Sequence, residues 1–145
     1  MVAGRKLILG GVEIPHPKGL DGHSDADALM HAICDAVLGA LGEEDIGHFF
    51  PHTDPRWKNA PSNIFLEEAA RQVAKCKGKI VNVDATVIAQ APKIYPHLGE
   101  MKKRIAAALG VSEKQIGVKA TTNEKMGFVG REEGIAAMAV ASIDL

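Results

Sequence analysis

Nearly every residue from 24 to 41 is apolar or a good helix former, and beyond the first turn three polar side chains interrupt this stretch at regular intervals. Asp27, His31 and Asp35 are spaced four residues apart, so they share one narrow stripe on the predicted helix. Since the helix is otherwise apolar all round, we expect it to be buried. A buried stripe of carboxylate, imidazole and carboxylate is costly unless its members are paired or bind something. The stripe therefore predicts a functional site in which the carboxylates orient a metal-binding histidine.

The residues at the start of this helix allow a second interpretation. Ser24 and Asp27 form a variant of the capping box, and carboxylates suit the positive end of a helix dipole. Capping explains Asp25 and Asp27 without a ligand, but it does not explain His31, which lies further inside. His23, just before the helix, is placed to point into the same space as His31. A satisfied core histidine stays open as the alternative to a binding site.

The other apolar segments predict strands and helices in alternation. A glycine turn separates two short strands near the start of the chain. The second helix is capped by Ser62 and ended by Gly78. A strand rich in β-branched residues, a third helix and two more strands follow it in that order. The strands are predicted at Leu7–Leu9, Val12–Ile14, 79–89, 116–120 and 135–143, and the later helices at 62–77 and 96–109. This order predicts one domain, 1–145, of α/β or α+β class, with a layered, mixed β-sheet packed against helices.

Polar residues concentrate in three connecting segments. Segment 43–61 is longer than most connections in compact domains, which is typical of functional loops. Turn chemistry also explains its polar part, and Phe49 and Phe50 predict that it folds back onto the core. Segment 89–96 follows a strand end, where backbone groups commonly contact ligands.

The third segment, 121–131, has the chemistry of a phosphate or magnesium site. It holds two hydroxyls, a carboxylate, an amine and a guanidinium within eleven residues. Hydroxyls and cations donate to phosphates, and one carboxylate together with phosphate oxygens commonly holds Mg²⁺. A solvated charged loop is the alternative. The sequence has no glycine motif of the Walker or dinucleotide type, so a phosphate ligand would be held differently.

Composition narrows the possible classes. The chain has 145 residues and a formal charge of −1 with mixed signs, which argues against a broad nucleic-acid surface. Aromatic residues make up only 4%, so we expect a core thin in large side chains that subunit contacts complete. No apolar run reaches membrane-spanning length and no charged leader precedes a hydrophobic segment. Cys34 and Cys76 lack zinc-motif spacing, and a reduced, cytoplasmic setting is the default expectation.

Five motifs occur in the order expected for one known family. They are Gly22-His-Ser-Asp-Ala-Asp-Ala-Leu-Met-His31, Asp45-Ile-Gly47, Phe50-Pro-His-Thr-Asp-Pro55, Ala89-Gln-Ala-Pro-Lys93 and Lys119-Ala-Thr-Thr-Asn-Glu-Lys125 through Gly130-Arg131. From about Leu7 to the C-terminus, the chain strongly resembles 2-C-methyl-D-erythritol 2,4-cyclodiphosphate synthase of the non-mevalonate isoprenoid pathway.

The resemblance implies a homotrimer of α/β subunits, with each active site between two neighbours. It implies a phosphorus–oxygen lyase that converts 4-diphosphocytidyl-2-C-methyl-D-erythritol 2-phosphate into 2-C-methyl-D-erythritol 2,4-cyclodiphosphate and CMP. The implied cofactors are Zn²⁺ at the reacting phosphate and Mg²⁺ or Mn²⁺ across the diphosphate. Neither a nucleic acid nor a membrane is expected as a partner.

Carried over residue by residue, the resemblance implies a metal site, two transition-state residues and a substrate surface. His31 matches a zinc-ligand position, Glu124 the magnesium ligand, and His23 and Thr122 residues that steady the transition state. Asp27 and Asp35 would partner the histidine or the adjacent loop. The substrate surface would comprise His23, Ser24, Asp45, Ile46, Gly47, Phe50, Pro51, His52, Thr53, Asp54, Ala89, Gln90, Ala91, Pro92, Lys93, Ile94, Tyr95, Thr121, Thr122, Asn123, Glu124, Phe128 and Arg131.

The chain departs from the family at its beginning. The family opens with a strand ending in an Asp-x-His motif that supplies two further zinc ligands, and no Asp-x-His occurs in this sequence. A catalytic zinc normally takes three protein ligands, so His31 alone would hold it poorly. Our sequence-based hypothesis is that Met1 is an internal or misassigned start. The alternative function is a non-catalytic trimer that binds cytidine nucleotides or isoprenoid diphosphates.

Overall fold

Helices and strands alternate along most of the computed structural model, which describes residues 1–145. The strands are β1 Val2–Ala3, β2 Leu7–Leu9, β3 Val12–Ile14, β4 Lys18–Gly19, β5 Lys79–Ile88, β6 Ile116–Thr121 and β7 Ala136–Asp144. The helices are α1 Ala28–Ala40, α2 Ile46–Phe49, α3 Asn63–Lys75, α4 Leu98–Leu109 and α5 Gly127–Gly130. None of them is both long enough and apolar enough to cross a membrane.

A mixed three-stranded sheet, in the order β6-β5-β7, forms one layer of the fold. β5 runs parallel to β6 and antiparallel to β7. The long helices α1, α3 and α4 pack against one face of this sheet, where Val83, Ala85 and Val87 of β5 are buried. The short strands form two further pairs, β1 with β4 and β2 with β3. The predicted class, a mixed sheet packed against helices, is confirmed.

The buried core contains 24 residues, of which Phe65 is the only aromatic one. The prediction of a core thin in large side chains is therefore confirmed. Phe49 and Phe50 pack against this core, so the loop that carries them folds back as expected. Cys34 is enclosed in it, and burial raises the pKa of its thiol to about 12, which makes the thiol unreactive.

The opposite face of the sheet, which we call the outward face, carries side chains that remain wholly or partly exposed to solvent. It includes Asp84, Thr86, Lys119, Met138 and Val140, which neighbour one another across the three strands. Met138 is 68% exposed and Val140 71%, beside an ion pair in which Lys119 Nζ donates to both Asp84 carboxylate oxygens at 2.5 Å. Exposed apolar residues rimmed by charges are typical of a protein–protein contact surface.

One buried carboxylate ties the first hairpin to the start of α1. Gly10 and Gly11 join β2 to β3 with φ of 58° and 75°, and positive φ at both loop residues is typical of a type I′ turn. Their N–H groups donate to the two carboxylate oxygens of Asp27 at 2.9 and 2.7 Å, and Met30 N–H donates at 3.0 Å. Burial raises the pKa of Asp27 to about 6, and the three N–H bonds oppose that rise. Asp27 is thus both a helix cap and a tertiary anchor.

Several predicted boundaries differ from the structure. Asp27 caps α1, so the helix start predicted at Ser24 is wrong. The second helix, predicted over residues 62–77, ends at Lys75, and the residue with left-handed backbone after it is Lys77, with φ of 58°, and not Gly78. The helix predicted from residue 96 begins at residue 98, because Tyr95–His97 form a 3₁₀ turn first.

Candidate active site

A cavity of about 430 Å³ opens beside the first turns of α1. The loop before α1 and the 43–61 loop line it together, and apolar residues complete the wall. The lining includes His23, Ser24, His31, Ile46, Gly47, Phe50, His52, Trp57, Phe65 and Ile135. His23 and His31 therefore face one space, as the sequence predicted.

One side-chain and two backbone hydrogen bonds hold the segment around His23 against the 43–61 loop. Nε2 of His23 lies 3.0 Å from the Asp54 carbonyl oxygen, and the His23 carbonyl accepts from Asn59 N–H at 2.8 Å. Asp25 N–H donates to the Ala60 carbonyl at 3.1 Å. Since a carbonyl oxygen only accepts, Nε2 of His23 carries a proton and Nδ1 is the nitrogen left for other contacts.

Aromatic packing supports the floor of the cavity. The ring of Phe50 lies 4.6 Å from that of Phe65 and 4.9 Å from that of Trp57, between centroids. The imidazole of His31 is tilted over Phe65 at 5.5 Å. The 43–61 loop and α1 therefore both pack against the same aromatic side chains. The polar groups that line the cavity are held in place by this packing as well as by hydrogen bonds.

His31 belongs to a hydrogen-bond network that the sequence analysis missed. Its Nε2 lies 2.9 Å from Ser62 Oγ, and the hydroxyl and backbone N–H of Ser62 donate to the Asp25 carboxylate at 2.5 and 2.8 Å. Ser62 stands at the N-cap of α3 as predicted, yet its side chain makes no cap bond because Asp25 engages it. Burial lowers the pKa of His31, and the carboxylates of Asp25 and Asp35 act in the opposite direction.

The two carboxylates of the predicted stripe have other partners. Asp27 binds the glycine turn, and the exposed Asp35 accepts from Ile46 N–H at 2.9 Å. Neither bonds to His31, so the interpretation that they orient its ring is wrong. The expectation that one of them partners the adjacent loop is correct for Asp35. Asp25, which capping could explain, is the carboxylate that connects to the histidine, through the Ser62 hydroxyl.

A second cluster of predicted residues lies where the parallel strands β5 and β6 end side by side. The N–H of Ala89 donates to the Thr121 carbonyl at 2.9 Å, and Lys125 N–H donates to Gln90 Oε1 at 3.0 Å. Segments 89–95 and 121–131 therefore meet at one edge of the sheet. The sequence placed both after strands but did not show that they are neighbours.

The backbone of this second cluster is strained at two exposed residues. Glu124 and Lys125 have φ of 51° and 61°, a region that side chains with a Cβ adopt rarely. Gly130 allows the turn to pack, since a Cβ there would lie 2.2 Å from the Lys125 carbonyl carbon. The Glu124 carboxylate is exposed, with Thr122 Oγ1 at 3.4 Å. The strain presents a hydroxyl and a carboxylate together to the solvent, as is common at functional sites.

The two clusters stay separate within one chain, because no residue of 89–95 or 121–131 lines the cavity. Ala89 and Ile94 are buried, so they can offer a ligand only backbone groups. Arg131 pairs with Glu133, which raises the pKa of its guanidinium, and Asp45 caps α2. The remaining predicted side chains reach the surface wholly or in part: Pro51, Thr53, Asp54, Gln90, Ala91, Pro92, Lys93, Tyr95, Thr121, Asn123 and Phe128.

The cavity and the second cluster belong to a chain that one family model matches almost from end to end, over residues 1–144. The chain belongs to the YgbB family. It is 56% identical to the 2-C-methyl-D-erythritol 2,4-cyclodiphosphate synthase of Moorella thermoacetica, over 97% of this chain and 86% of that protein. It is 58% identical to the synthase of Ralstonia pickettii, over 99% of this chain and 85% of that protein. The resemblance drawn from the five motifs is confirmed.

Solved structures share the fold of this YgbB-family chain. The bifunctional IspDF of Campylobacter jejuni matches with a TM-score of 0.93 and 42% identity, over 98% of this chain and 38% of that one. An IspF of Plasmodium falciparum, described as a CDP complex, matches with a TM-score of 0.85 and 39% identity, over 97% of this chain and 84% of that one. The fold assignment is thus supported by solved structures whose sequences are more than 35% identical to this chain.

The two metals that the resemblance implies differ in how they fit the YgbB-family chain. No group of three or more His, Cys, Asp or Glu side chains could hold a metal ion. Nε2 of His31 has only the hydroxyls of Ser62 and Ser24 nearby, at 2.9 and 3.3 Å. Because zinc normally takes three protein ligands, these residues do not fit a zinc site. The exposed Glu124 does fit Mg²⁺, which is commonly held by one or two carboxylates and substrate phosphates.

Proposed function

We propose that this chain catalyses the cyclodiphosphate synthase reaction, from 4-diphosphocytidyl-2-C-methyl-D-erythritol 2-phosphate to the cyclic 2,4-diphosphate and CMP. The observation that carries the proposal is 56–58% identity to synthases over at least 97% of the chain. A cavity lined in part by residues of the first three motifs and the strained turn at Glu124 and Lys125 in the fifth are consistent with the proposal. The non-catalytic alternative has no comparable support, since the relatives are named as synthases.

The reaction is an intramolecular phosphoryl transfer. An oxygen of the 2-phosphate attacks the β-phosphorus, the bond from that phosphorus to the CMP oxygen breaks, and CMP leaves with the electron pair. The nucleophile is already anionic, so the enzyme needs no strong general base. Positioning and charge neutralisation therefore dominate the catalysis.

The chain's own residues divide this work between the two clusters. The erythritol phosphate part would occupy the cavity, against His23, Ser24 and the 45–54 segment. The cytidine phosphate would contact 89–95 and Thr121, and Phe128 and Arg131 would add further contacts. In this arrangement of the substrate, His23 and Thr122 are proposed to touch the reacting phosphates.

Glu124 would hold Mg²⁺, which when bound neutralises charge across the diphosphate. The Thr122 hydroxyl, 3.4 Å from the Glu124 carboxylate, lies beside that position and can donate to a phosphate oxygen. His31 is proposed as one zinc-ligand position. No step is assigned to zinc, because the residues present do not complete its site.

The test of this function is CMP release from the diphosphocytidyl substrate by the purified chain, with Mg²⁺ and Zn²⁺ supplied. Release at an enzymatic rate supports the proposal. Calorimetric binding of CMP with no release would support the non-catalytic trimer instead. Absence of both binding and release would contradict each of the two functions for the chain as it stands.

We also propose that the chain assembles as a homotrimer through the outward face. Two observations support an assembly: the cavity and the second cluster do not meet within one chain, and Met138 and Val140 are left exposed. Met138→Asp is expected to convert the assembly to monomers, because a buried unpaired carboxylate at an interface is costly. Sedimentation velocity measures the change.

A matched variant separates assembly from a general effect of added charge. Cys76→Asp places the same charge at an exposed position after α3, on the helix side of the sheet. It is expected to leave the sedimentation coefficient unchanged. A monomeric wild-type protein, or equal dissociation by both variants, would contradict assembly through the outward face.

A further inference from the structure

Two consecutive residues of the second cluster keep a backbone conformation that is unfavourable for both of them. Glu124 and Lys125 have φ of 51° and 61°, and the left-handed region costs free energy for any residue that has a Cβ. Such a conformation persists only where the surrounding structure enforces it. Contacts beyond the turn's own backbone preference therefore hold it in place.

Most of the hydrogen bonds of this turn are local. The N–H of Met126 donates to the Asn123 carbonyl at 2.9 Å, and the Asn123 side-chain amide donates to the Met126 carbonyl at 2.8 Å. Gly130 packs closely against the Lys125 backbone, but it belongs to the same segment, 121–131. These contacts close the segment on itself and do not fix its direction relative to the sheet.

Only one hydrogen bond joins residues 122–126 to a different segment of the chain. In it, Lys125 N–H donates to Oε1 of Gln90 at 3.0 Å. Gln90 is half-buried and directly follows Ala89, whose N–H donates to the Thr121 carbonyl at 2.9 Å. Ala89 thus extends the pairing of β5 with β6 by one bond. The side chain of Gln90 therefore ties the turn to the paired end of the sheet.

We propose that Gln90 is a positioning residue whose side-chain oxygen fixes the Glu124–Lys125 turn and, through it, the direction of the Glu124 carboxylate. This role rests on the proposed function, in which Glu124 holds Mg²⁺. Gln90 acts on the backbone of the residue that follows Glu124, so it does not need to touch the metal. A ligand that is ordered before the metal arrives binds it more tightly, because less ordering is left to be done on binding.

Hydrogen exchange of the Lys125 amide, followed by ¹H–¹⁵N NMR on the labelled chain, tests the bond directly. Gln90→Met removes the acceptor at a similar side-chain length. We expect it to speed exchange at Lys125 by about 5-fold or more, the scale for losing one hydrogen bond. Gln90→Glu keeps a side-chain oxygen and should restore the protection.

The wild-type chain provides a test that does not depend on the folding of a variant. Its Lys125 amide is expected to be better protected, relative to the unprotected rate of each residue, than the amide of Glu124. The N–H of Glu124 has only a long contact, of 3.4 Å, with Thr122 Oγ1. A Lys125 amide that is no better protected than that of Glu124 would overturn the proposal.

Gln115→Met is the matched control for Gln90→Met. Oε1 of Gln115 accepts the backbone N–H of Ser112, also at 3.0 Å, just before the opposite end of β6. The control therefore removes an equivalent glutamine acceptor far from the Glu124 turn. It should leave exchange at Lys125 unchanged.

Mn²⁺ binding in the presence of CDP separates positioning of the metal ligand from a merely structural bond. The EPR signal of the free ion measures it, with Mn²⁺ as the probe for the magnesium position. Gln90→Met is expected to raise the half-saturating Mn²⁺ concentration by about 5-fold or more, and Gln115→Met to leave it unchanged.

Two further results would each overturn the role of Gln90. One is exchange at Lys125 that is equal in wild type and Gln90→Met, and the other is an Mn²⁺ affinity that Gln90→Met leaves unchanged. Neither measurement needs turnover. Failure of this role and failure of CMP release are therefore distinguishable.

Discussion

Replacement of Asp27 by alanine is expected to lower the free energy of unfolding by about 3 kcal/mol. Three N–H groups, of Gly10, Gly11 and Met30, would lose their acceptor at once, and the first hairpin would lose its tie to α1. Urea denaturation at one protein concentration measures the change, since the proposed assembly would make apparent stability depend on concentration.

Asp35→Ala is the matched control for this prediction. Asp35 lies on the same helix, eight residues on, but it is exposed and accepts a single N–H, from Ile46. We expect its loss to cost less than about 1 kcal/mol. Equal losses in the two variants would mean that Asp27 does not anchor the hairpin.

The contribution of Asp27 to the free energy of unfolding also depends on pH in a defined direction. Its folded-state pKa of about 6 lies above the value of about 4 for an unfolded chain. Between these values the folded protein binds more protons than the unfolded one, so the contribution of Asp27 falls as the pH rises through this window. The stability difference between wild type and Asp27→Ala should therefore narrow from pH 4 to pH 6 and then level off. A difference that widens over this range would contradict the raised pKa.

Glu124→Gln is expected to reduce the rate of CMP release by at least about 100-fold, the usual scale for losing one group that stabilises developing charge. Glutamine keeps the size and the turn, so only the charge that would hold Mg²⁺ is removed. The loss should be partly recovered at high Mg²⁺ concentration, because weakened metal binding can be overcome by mass action. Initial rates measured over a Mg²⁺ titration test both statements.

Glu132→Gln is a close control within the neighbouring chain segment. Glu132 is exposed and, like Glu124, has a positive φ, of 61°, but it belongs to none of the five motifs. We expect its variant to release CMP as fast as wild type with the same Mg²⁺ dependence. A Glu124→Gln rate equal to that of Glu132→Gln would exclude Glu124 as the magnesium ligand.

The chain's periodicity was sufficient to predict its main elements. The β-branched run of β5 and the apolar faces of α1, α3 and α4 all form near the predicted bounds, because burial of an amphipathic segment tolerates small end shifts. Boundaries set by tertiary partners were less predictable. Ser24 looked like a cap, yet Asp27 caps α1 because two glycine N–H groups from the hairpin meet its carboxylate.

The sequence by itself determined the family and the order of the main helices and strands, and it predicted which residues would form the site. Only the tertiary structure decided which of them meet. His31 and Ser62 are 31 residues apart, and Gln90 and Lys125 are 35 apart, yet each pair is hydrogen-bonded. Local patterns report the spacing of side chains along one element, whereas these bonds depend on how separate elements pack. The carboxylate that reaches His31 is therefore Asp25, through Ser62, and not the members of its own helical stripe.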